Sequence, residues 1–589
     1  MKQEKQIKKL NQLKQIKLVI DNREVIGKQG QTILNIAQEN DIEIPTFCFH
    51  PRLDIVGACR ICVVEVEGFR NLQASCSTPA KDGMKIWTNS ELVLHARRTV
   101  LELLLSNHEL NCPTCEKNLQ CKLQQYSSDL MVREMPFEGE KATYPRDDSS
   151  VSIARNPNKC IKCARCVRVC NDIQTVYAIE NHDRGFYMNV APPFHHKLAD
   201  SSCINCGQCV VNCPVAALTE KSDIKDVVNQ IRAKLAGRSN KHLVVQVAPS
   251  IRATIGECFG MPAGTPVTGK LVTALKRLGF DKVFDSDLAA DMTIVEEATE
   301  FVKRFTSGKD LPLITTCCPA WIKFGEQFYF DQLKHMSTCK SPQAMMGSLI
   351  RSYYSKTQNI KSDDIYLVDI MPCTAKKFEI KRPEFAGDVD EILTTVELAK
   401  VIKMFGIDFK DLPDSDFDNP LGESTGAGSI FGRTGGVMEA ALRTAADFIS
   451  GEDIKEIEYK QVRGMNTIKE ATLEIKGKKV NIAVIHTLGK AREVMESIKA
   501  GNCKYDFIEI MACYGGCVGG GGQPPVSLSE LELQKRAEAL NSDDRSKAIR
   551  KSHQNKTLIK LYDQEYGKFG SEKAHKYLHT HYVKREYIG

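Results

Sequence analysis

Near its start the chain alternates apolar and polar residues through KLVI, turns at the polar pair Asp21-Asn22, and alternates again through REVIG. That pattern predicts a β-hairpin. TILNIAQEN follows with Thr32 placed to cap a helix whose face carries Ile33, Ile36 and Ala37, and MKIWTN predicts a closing strand. ELVLHARRTVLELLLSNHEL has the 3.6-residue apolar period of an amphipathic helix. The polar run FEGEKATYPRDDSS reads as a linker. From Asp226 onward the apolar runs HLVVQVAP, DKVFDS, LPLITT, DIYLVDI, NIAVIH and YDFIEIM alternate with helical stretches, which predicts α/β architecture.

At 589 residues the chain is long enough for several folded units of roughly 100 to 200 residues each. A net charge of +6, from 80 basic and 74 acidic residues, is too small for this length to imply nucleic acid. No window approaches the ~18 to 20 apolar residues of a membrane span. MKQEKQIKKLNQLKQIKLVI holds six Lys and no continuous apolar core, unlike a signal peptide. The expectation is a cytoplasmic protein, with the Lys-rich start serving as a docking arm or a solvated tail.

Cysteine changes the picture. There are 23, and the last of the N-terminal groups ends at Cys213. Such crowding without a secretory signal points to metal or redox chemistry rather than disulfides. Cys48, Cys59, Cys62 and Cys76 include one tight CxxC and suit a [2Fe-2S] cluster, with a zinc ribbon as the alternative. Their long first gap resembles the ferredoxin module of the large iron-sulfur subunit of respiratory complex I. His108, Cys112, Cys115 and Cys121 suit a Cys3His zinc site or a His-ligated [4Fe-4S] cluster, and their position behind the first group favours the cluster. Cys160, Cys163, Cys166, Cys170 and then Cys203, Cys206, Cys209, Cys213 repeat the two-cluster ferredoxin spacing. In that spacing the fourth Cys of each run serves the other cluster, so the expected sets are Cys160, Cys163, Cys166 with Cys213, and Cys203, Cys206, Cys209 with Cys170.

The remaining cysteines are scattered, yet Cys317, Cys318, Cys373, Cys513 and Cys517 all lie just beyond predicted strands, where open α/β sheets build sites. The Gly-rich segment CYGGCVGGGGQP can close tightly around a bulky group. TTCCPAW (Thr315 to Trp321), MPCTAKKFE (Met371 to Glu379) and EIMACYGGCVGGGGQP (Glu509 to Pro524) resemble the three signature motifs of the [FeFe]-hydrogenases. The resemblance extends over essentially the whole chain, including the order of the accessory modules.

The resemblance implies a multidomain α+β and α/β protein. Its modules would be a β-grasp [2Fe-2S] domain over 1–94, a His-ligated [4Fe-4S] module over 95–144, a two-[4Fe-4S] ferredoxin domain over 145–225 and a catalytic α/β domain over 226–589. It also implies an H-cluster, a [4Fe-4S] cubane joined to a diiron azadithiolate unit with CO and CN, held by Cys318, Cys373, Cys513 and a bridging Cys517. Cys317 would pass protons, through Glu297, Ser337, Glu300 and Arg304, to the surface. Lys376 and Ser250 would donate to the cyanides, while Pro249, Gln343, Met371, Phe431 and Met511 would line the pocket. Three departures stand beside these matches: Thr316 and Ala320 in the first motif, and Tyr514 in the third. Cys258, Cys339 and Cys503 match no role and are expected to be buried structural thiols.

The implied activity is reversible interconversion of protons and H2. AHKYLHTHY (Ala574 to Tyr582) and the form of the first motif favour an NAD(P)-linked, electron-bifurcating complex with flavin-bearing and iron-sulfur partner subunits and ferredoxin. A monomeric ferredoxin-dependent enzyme and a hydrogen sensor are the alternatives. GTPVTGKL at Gly264 lacks the hydroxyl residue of a P-loop, and GAGSIFG at Gly426 lacks dinucleotide-binding spacing. Neither predicts a nucleotide site.

Overall fold

The computed structural model describes residues 14–526 and 530–587. Most of the Lys-rich start, residues 1–13, lies outside them. Strands β1 (Gln15–Ile20) and β2 (Arg23–Lys28) pair antiparallel, and alternation sends Ile16, Leu18 and Ile20 into the core. Asp21 and Asn22 both take positive φ, the two-residue turn that matches strand twist. The helix Ile33–Glu39 starts at a capping box of Thr32 and Asn35 and packs where Gly27 leaves no side chain, since a Cβ there would meet Ile36 at 2.3 Å. With β3 (Val63–Val66), β4 (Gln73–Ala74) and β5 (Lys85–Trp87), the sheet order is β2-β1-β5-β3-β4, β5 running parallel to β1.

The amphipathic helix forms as Glu91–Ser106, and its buried Arg97 donates to Val63 O at 2.8 Å, fastening it to the first sheet. Beyond the linker, β6 (Ile153–Arg155) is followed by a ribbon of β7 (Glu180–His182) and β8 (Asn189–Ala191), then by β9 (Leu218–Glu220), which pairs with β6. The cysteine repeat is a structural repeat as well. Each half carries a short helix, Arg165–Arg168 or Gln208–Asn212, entered through a left-handed residue, Ala164 or Gly207.

The six strands anticipated in the C-terminal part are β10 (His242–Val247), β11 (Lys282–Asp285), β12 (Leu313–Thr315), β13 (Ile365–Met371), β16 (Lys478–His486) and β17 (Phe507–Met511). Two more appear, β14 (Glu391–Thr394) and β15 (Ile468–Ile475). They form two four-stranded sheets, β11-β10-β13-β14, wholly parallel, and β12-β17-β16-β15, in which only the β15-β16 hairpin is antiparallel. Parallel strands covered on both faces read as unbroken apolar runs, as Val244, Val245, Leu367, Val368, Ile482, Val484 and Ile508 do, all buried. The helices Asp287–Ser307 and Gly436–Ser450 pack against each other, and the first also contacts β12. The chain leaving the carboxyl ends of β10, β12, β13 and β17 contributes lining to one shared cavity. Among the described residues no helix is long and apolar enough to cross a membrane.

Candidate functional site

The first four cysteines converge in two hydrogen-bonded thiol pairs, Cys48 with Cys59 and Cys62 with Cys76. In the second group His108 is buried with its Nδ1 unpartnered, a nitrogen available to a metal. Burial pushes its imidazole down to about 4, which keeps it neutral as ligation requires. Cys112–Thr114 makes a single turn that brings Cys115 N–H onto Cys112 O at 3.1 Å, and Cys115 Sγ accepts from Lys159 Nζ at 3.4 Å. The eight ferredoxin-type cysteines divide between two cavities. One is lined by Cys160, Cys163, Cys166 and Cys213, the other by Cys170, Cys203, Cys206 and Cys209.

These sites are tied to one another by side-chain hydrogen bonds onto backbone carbonyls. Arg168 donates to Cys48 O at 2.6 Å, and Lys117 Nζ donates to Cys213 O at 2.6 Å. The two outermost groups therefore both touch the ferredoxin-like pair. At the other end a Cβ on Gly521 would lie 2.4 Å from Cys206 O, and one on Gly207 would lie 2.9 Å from Gly521 Cα. Gln208 Nε2 donates to Gly519 O at 3.0 Å, Gln174 Nε2 to Ala512 O at 2.8 Å, and Thr374 Oγ1 to Asn205 O at 2.8 Å.

Behind that junction lies the shared cavity, with about 700 Å3 of empty volume. Cys317, Cys318, Cys373, Cys513 and Cys517 line it, and so do Pro249, Ser250, Gln343, Met371, Lys376, Phe431 and Met511. All the residues expected around a large cofactor are thus brought together. Three features fit such a group. Both atoms of the buried Gln343 amide lack a partner. The glycine loop wraps so closely that a Cβ on Gly520 would sit 2.2 Å from Pro372 O. Burial pushes Cys373 up to about 12 and raises Cys318 and Cys513 as well, so thiolates here call for the positive charge that iron supplies. Cys317 is hydrogen-bonded to Cys517. Burial works against the charge of Lys376, but Glu379 at 2.7 Å and the neighbouring Cys317 outweigh it and hold the ammonium above its ordinary range.

The candidate relay runs away from this cavity. Glu297 is buried on the helix Asp287–Ser307, and burial pushes its carboxyl up to about 8, against hydrogen bonds from Thr315 and Ser337. Ser337 is fixed by its N–H on Ile314 O at 2.8 Å, beside β12. Its Oγ donates to Glu300 Oε2 at 3.4 Å, and Arg304 holds Glu300 Oε1 at 2.5 Å while donating to Lys334 O. Arg304 stays partly open to solvent.

Sequence reading missed Thr315 as a partner of Glu297, although it stands inside the first motif. It also missed Gln174 and Gln208, which carry no motif. The expectation of three buried thiols needs correcting. Cys339 is buried, but Cys258 and Cys503 are partly exposed because one closes a surface turn, Ile255–Phe259, and the other lies in the loop before β17. Gly264 packs where a Cβ would meet Lys535 O at 2.5 Å, so that glycine serves close packing rather than phosphate.

Fold and site together define an iron-sulfur redox protein with an α/β catalytic domain. Comparison with known proteins narrows the class. Residues 241–521 match the family described as "Iron only hydrogenase large subunit, C-terminal domain" and 530–585 match "Iron hydrogenase small subunit". Residues 13–91 match a 2Fe-2S cluster binding domain, 97–136 the iron-sulfur binding region of NADH-ubiquinone oxidoreductase-G, and 199–219 a 4Fe-4S binding domain. The chain is 47% identical to the NADP-reducing hydrogenase subunit HndD of Solidesulfovibrio fructosivorans, covering 97% of this chain and 99% of that one. Against iron hydrogenase 1 of Clostridium pasteurianum identity is 41%, covering 96% and 100%. A solved variant of the [FeFe]-hydrogenase HydA1 from Chlamydomonas reinhardtii superposes with TM-score 0.55 at 37% identity, over 62% of this chain and 99% of that one. The chain belongs to the [FeFe]-hydrogenase family, as a catalytic subunit with N-terminal iron-sulfur domains.

Proposed function

We propose that the chain interconverts H2 with protons and electrons as the catalytic subunit of a cytoplasmic, NAD(P)-linked, electron-bifurcating complex that also uses ferredoxin. The end-to-end match to a subunit named for NADP reduction carries this reading. In it Cys318, Cys373, Cys513 and Cys517 hold the H-cluster, Cys517 as the bridging thiolate. That group supplies the redox-active iron at which H2 forms or splits. Lys376 and Ser250 hold its diatomic ligands by hydrogen bonds, and Pro249, Gln343, Met371, Phe431 and Met511 exclude water around it. Cys317, Glu297, Ser337, Glu300 and Arg304 hand protons between cavity and solvent.

On the electron side the reading keeps the modules 1–94, a β-grasp domain, 95–144, 145–225 and 226–589. Cys48, Cys59, Cys62 and Cys76 hold one [2Fe-2S] cluster, His108, Cys112, Cys115 and Cys121 a [4Fe-4S] cluster, and the two ferredoxin-type cavities one [4Fe-4S] each. The contact of Gly521 with Cys206 and Gly207 supports electron exit by way of the inner ferredoxin cluster. Flavin-bearing and iron-sulfur subunits are the partners at the outer clusters.

The test is anaerobic H2 oxidation by natively purified protein with whatever copurifies, offered ferredoxin alone, NAD(P)+ alone, and both. Turnover that needs both acceptors is the expected result. Ferredoxin reduction by the isolated chain at full rate would overturn the complex in favour of a monomeric enzyme.

A further inference from the structure

We propose that Glu300, Cys339 and His579 bind a divalent cation of the zinc class, and that a cation seated there stops proton movement at the outer end of the relay. The second half of this proposal rests on the relay described above; the first does not. The ligand atoms of the three residues all lie within 4.8 Å of one another. Cys339 Sγ and His579 Nδ1 are 3.9 Å apart, while tetrahedral zinc, with bonds of about 2.3 Å to sulfur and 2.0 Å to nitrogen, separates such atoms by roughly 3.5 Å. A few tenths of an ångström of closure completes the geometry.

Donor chemistry selects the metal. A thiolate, an imidazole and a carboxylate suit zinc, whereas magnesium and calcium take oxygen donors. Thr338 Oγ1 now bridges the donors, 2.7 Å from His579 Nδ1 and 3.2 Å from Glu300 Oε2, marking the space between them. The imidazole has the orienting partner that metal-bound histidines usually have. Glu296 Oε2 lies 3.0 Å from His579 Nε2, and Glu296 also accepts from Tyr562 OH at 2.6 Å and from Gly570 N–H. With Nε2–H donated to that carboxylate, the Nδ1 lone pair is left to accept from Thr338 Oγ1, with Cys339 Sγ 3.9 Å away, and a cation would displace that hydroxyl from Nδ1. Backbone pairing holds the site stiff: Cys339 bridges His579, Thr580 N donates to Thr338 O at 2.7 Å and Lys340 N to Leu578 O at 2.9 Å. The exposed His575 stacks on His579 and opens the way to solvent.

Binding forms a sulfur–metal bond and releases the Cys339 thiol proton to water, with no change of oxidation state. Arg304 keeps Glu300 Oε1, and the cation takes Oε2, the oxygen that Ser337 addresses. Glu300 can then no longer exchange a proton with Ser337.

The experiment uses the fully cluster-loaded full-length protein, titrated anaerobically with zinc chloride. Bound zinc and iron are counted after gel filtration, and zinc K-edge X-ray absorption identifies the ligands. Expected are one zinc per chain with a single sulfur neighbour, unchanged iron, and H2 turnover that falls with occupancy and returns with EDTA. Cys339→Ser and His579→Ala should lose the zinc and keep turnover, and Glu296→Gln should weaken binding by about 10- to 100-fold. Zinc without a sulfur neighbour, or bound equally by both ligand variants, would overturn the site. Zinc bound as described with turnover untouched would leave the site standing and remove Glu300 from the relay.

Discussion

The proposed relay turns on Glu297. A carboxyl pushed up to about 8 carries its proton at neutral pH and can still release it, the condition for shuttling at ordinary pH. Burial is the main cause, so the proton belongs to the folded state. The folded value is raised above that of the free side chain, so its stabilising contribution is complete below about pH 4.5 and is lost as pH rises through about 8. Difference infrared spectra should show the carbonyl stretch of a protonated acid that disappears above pH 8 and is absent in Glu297→Gln. The same variant should lose about 100-fold or more in turnover with the cavity's cofactor bands intact. Lys159 offers a second check. Its ammonium donates to Cys115 Sγ, and a positive charge there favours the reduced cluster. Lys159→Gln should therefore lower that cluster's reduction potential in an EPR-monitored titration, whereas an unchanged potential would place the cluster elsewhere.

At the scale of elements, the loop after β17 decides whether the cavity can exist. Gly516, Gly519, Gly520 and Gly521 all approach other backbone too closely for a side chain, Gly519 on Tyr514 O at 2.2 Å and Gly516 on Thr434 N at 2.5 Å. Gly520→Ala should cost roughly 1 to 3 kcal/mol by overpacking. It should also strip the diiron infrared bands while leaving the EPR signals of the accessory clusters. Much of this was legible beforehand. Six strands were marked by unbroken apolar runs, and the motif cysteines stood at their ends. β15 was not, because its IKEATLEI sequence lies at a sheet edge and exposes Glu470 and Glu474; β14 has only four residues. The glutamines at the junction were illegible for another reason. Gln174 and Gln208 act on carbonyls hundreds of residues away, a relation no local pattern carries.

At the scale of the molecule, two outer cysteine groups meet the ferredoxin-like pair through the side chains of Arg168 and Lys117 on backbone carbonyls, and that pair meets the large cavity through the close approach of Gly521 to Cys206 and Gly207. The C-terminal segment matched to the iron hydrogenase small subunit is folded onto the proposed relay residues, bringing His579 beside Glu300. The cysteine spacing made the ferredoxin-like partition legible, and the cavities separate the same two sets of four. The meeting of distant segments, Cys339 with His579 or Cys206 with Gly521, became visible only in three dimensions.

The most direct test of the account is infrared spectroscopy of the protein produced with the machinery that assembles the diiron group, compared with Cys517→Ser. The account predicts terminal CN and CO bands in the unaltered chain and their loss, together with H2 turnover, in the variant. Identical bands and full turnover in Cys517→Ser would contradict it.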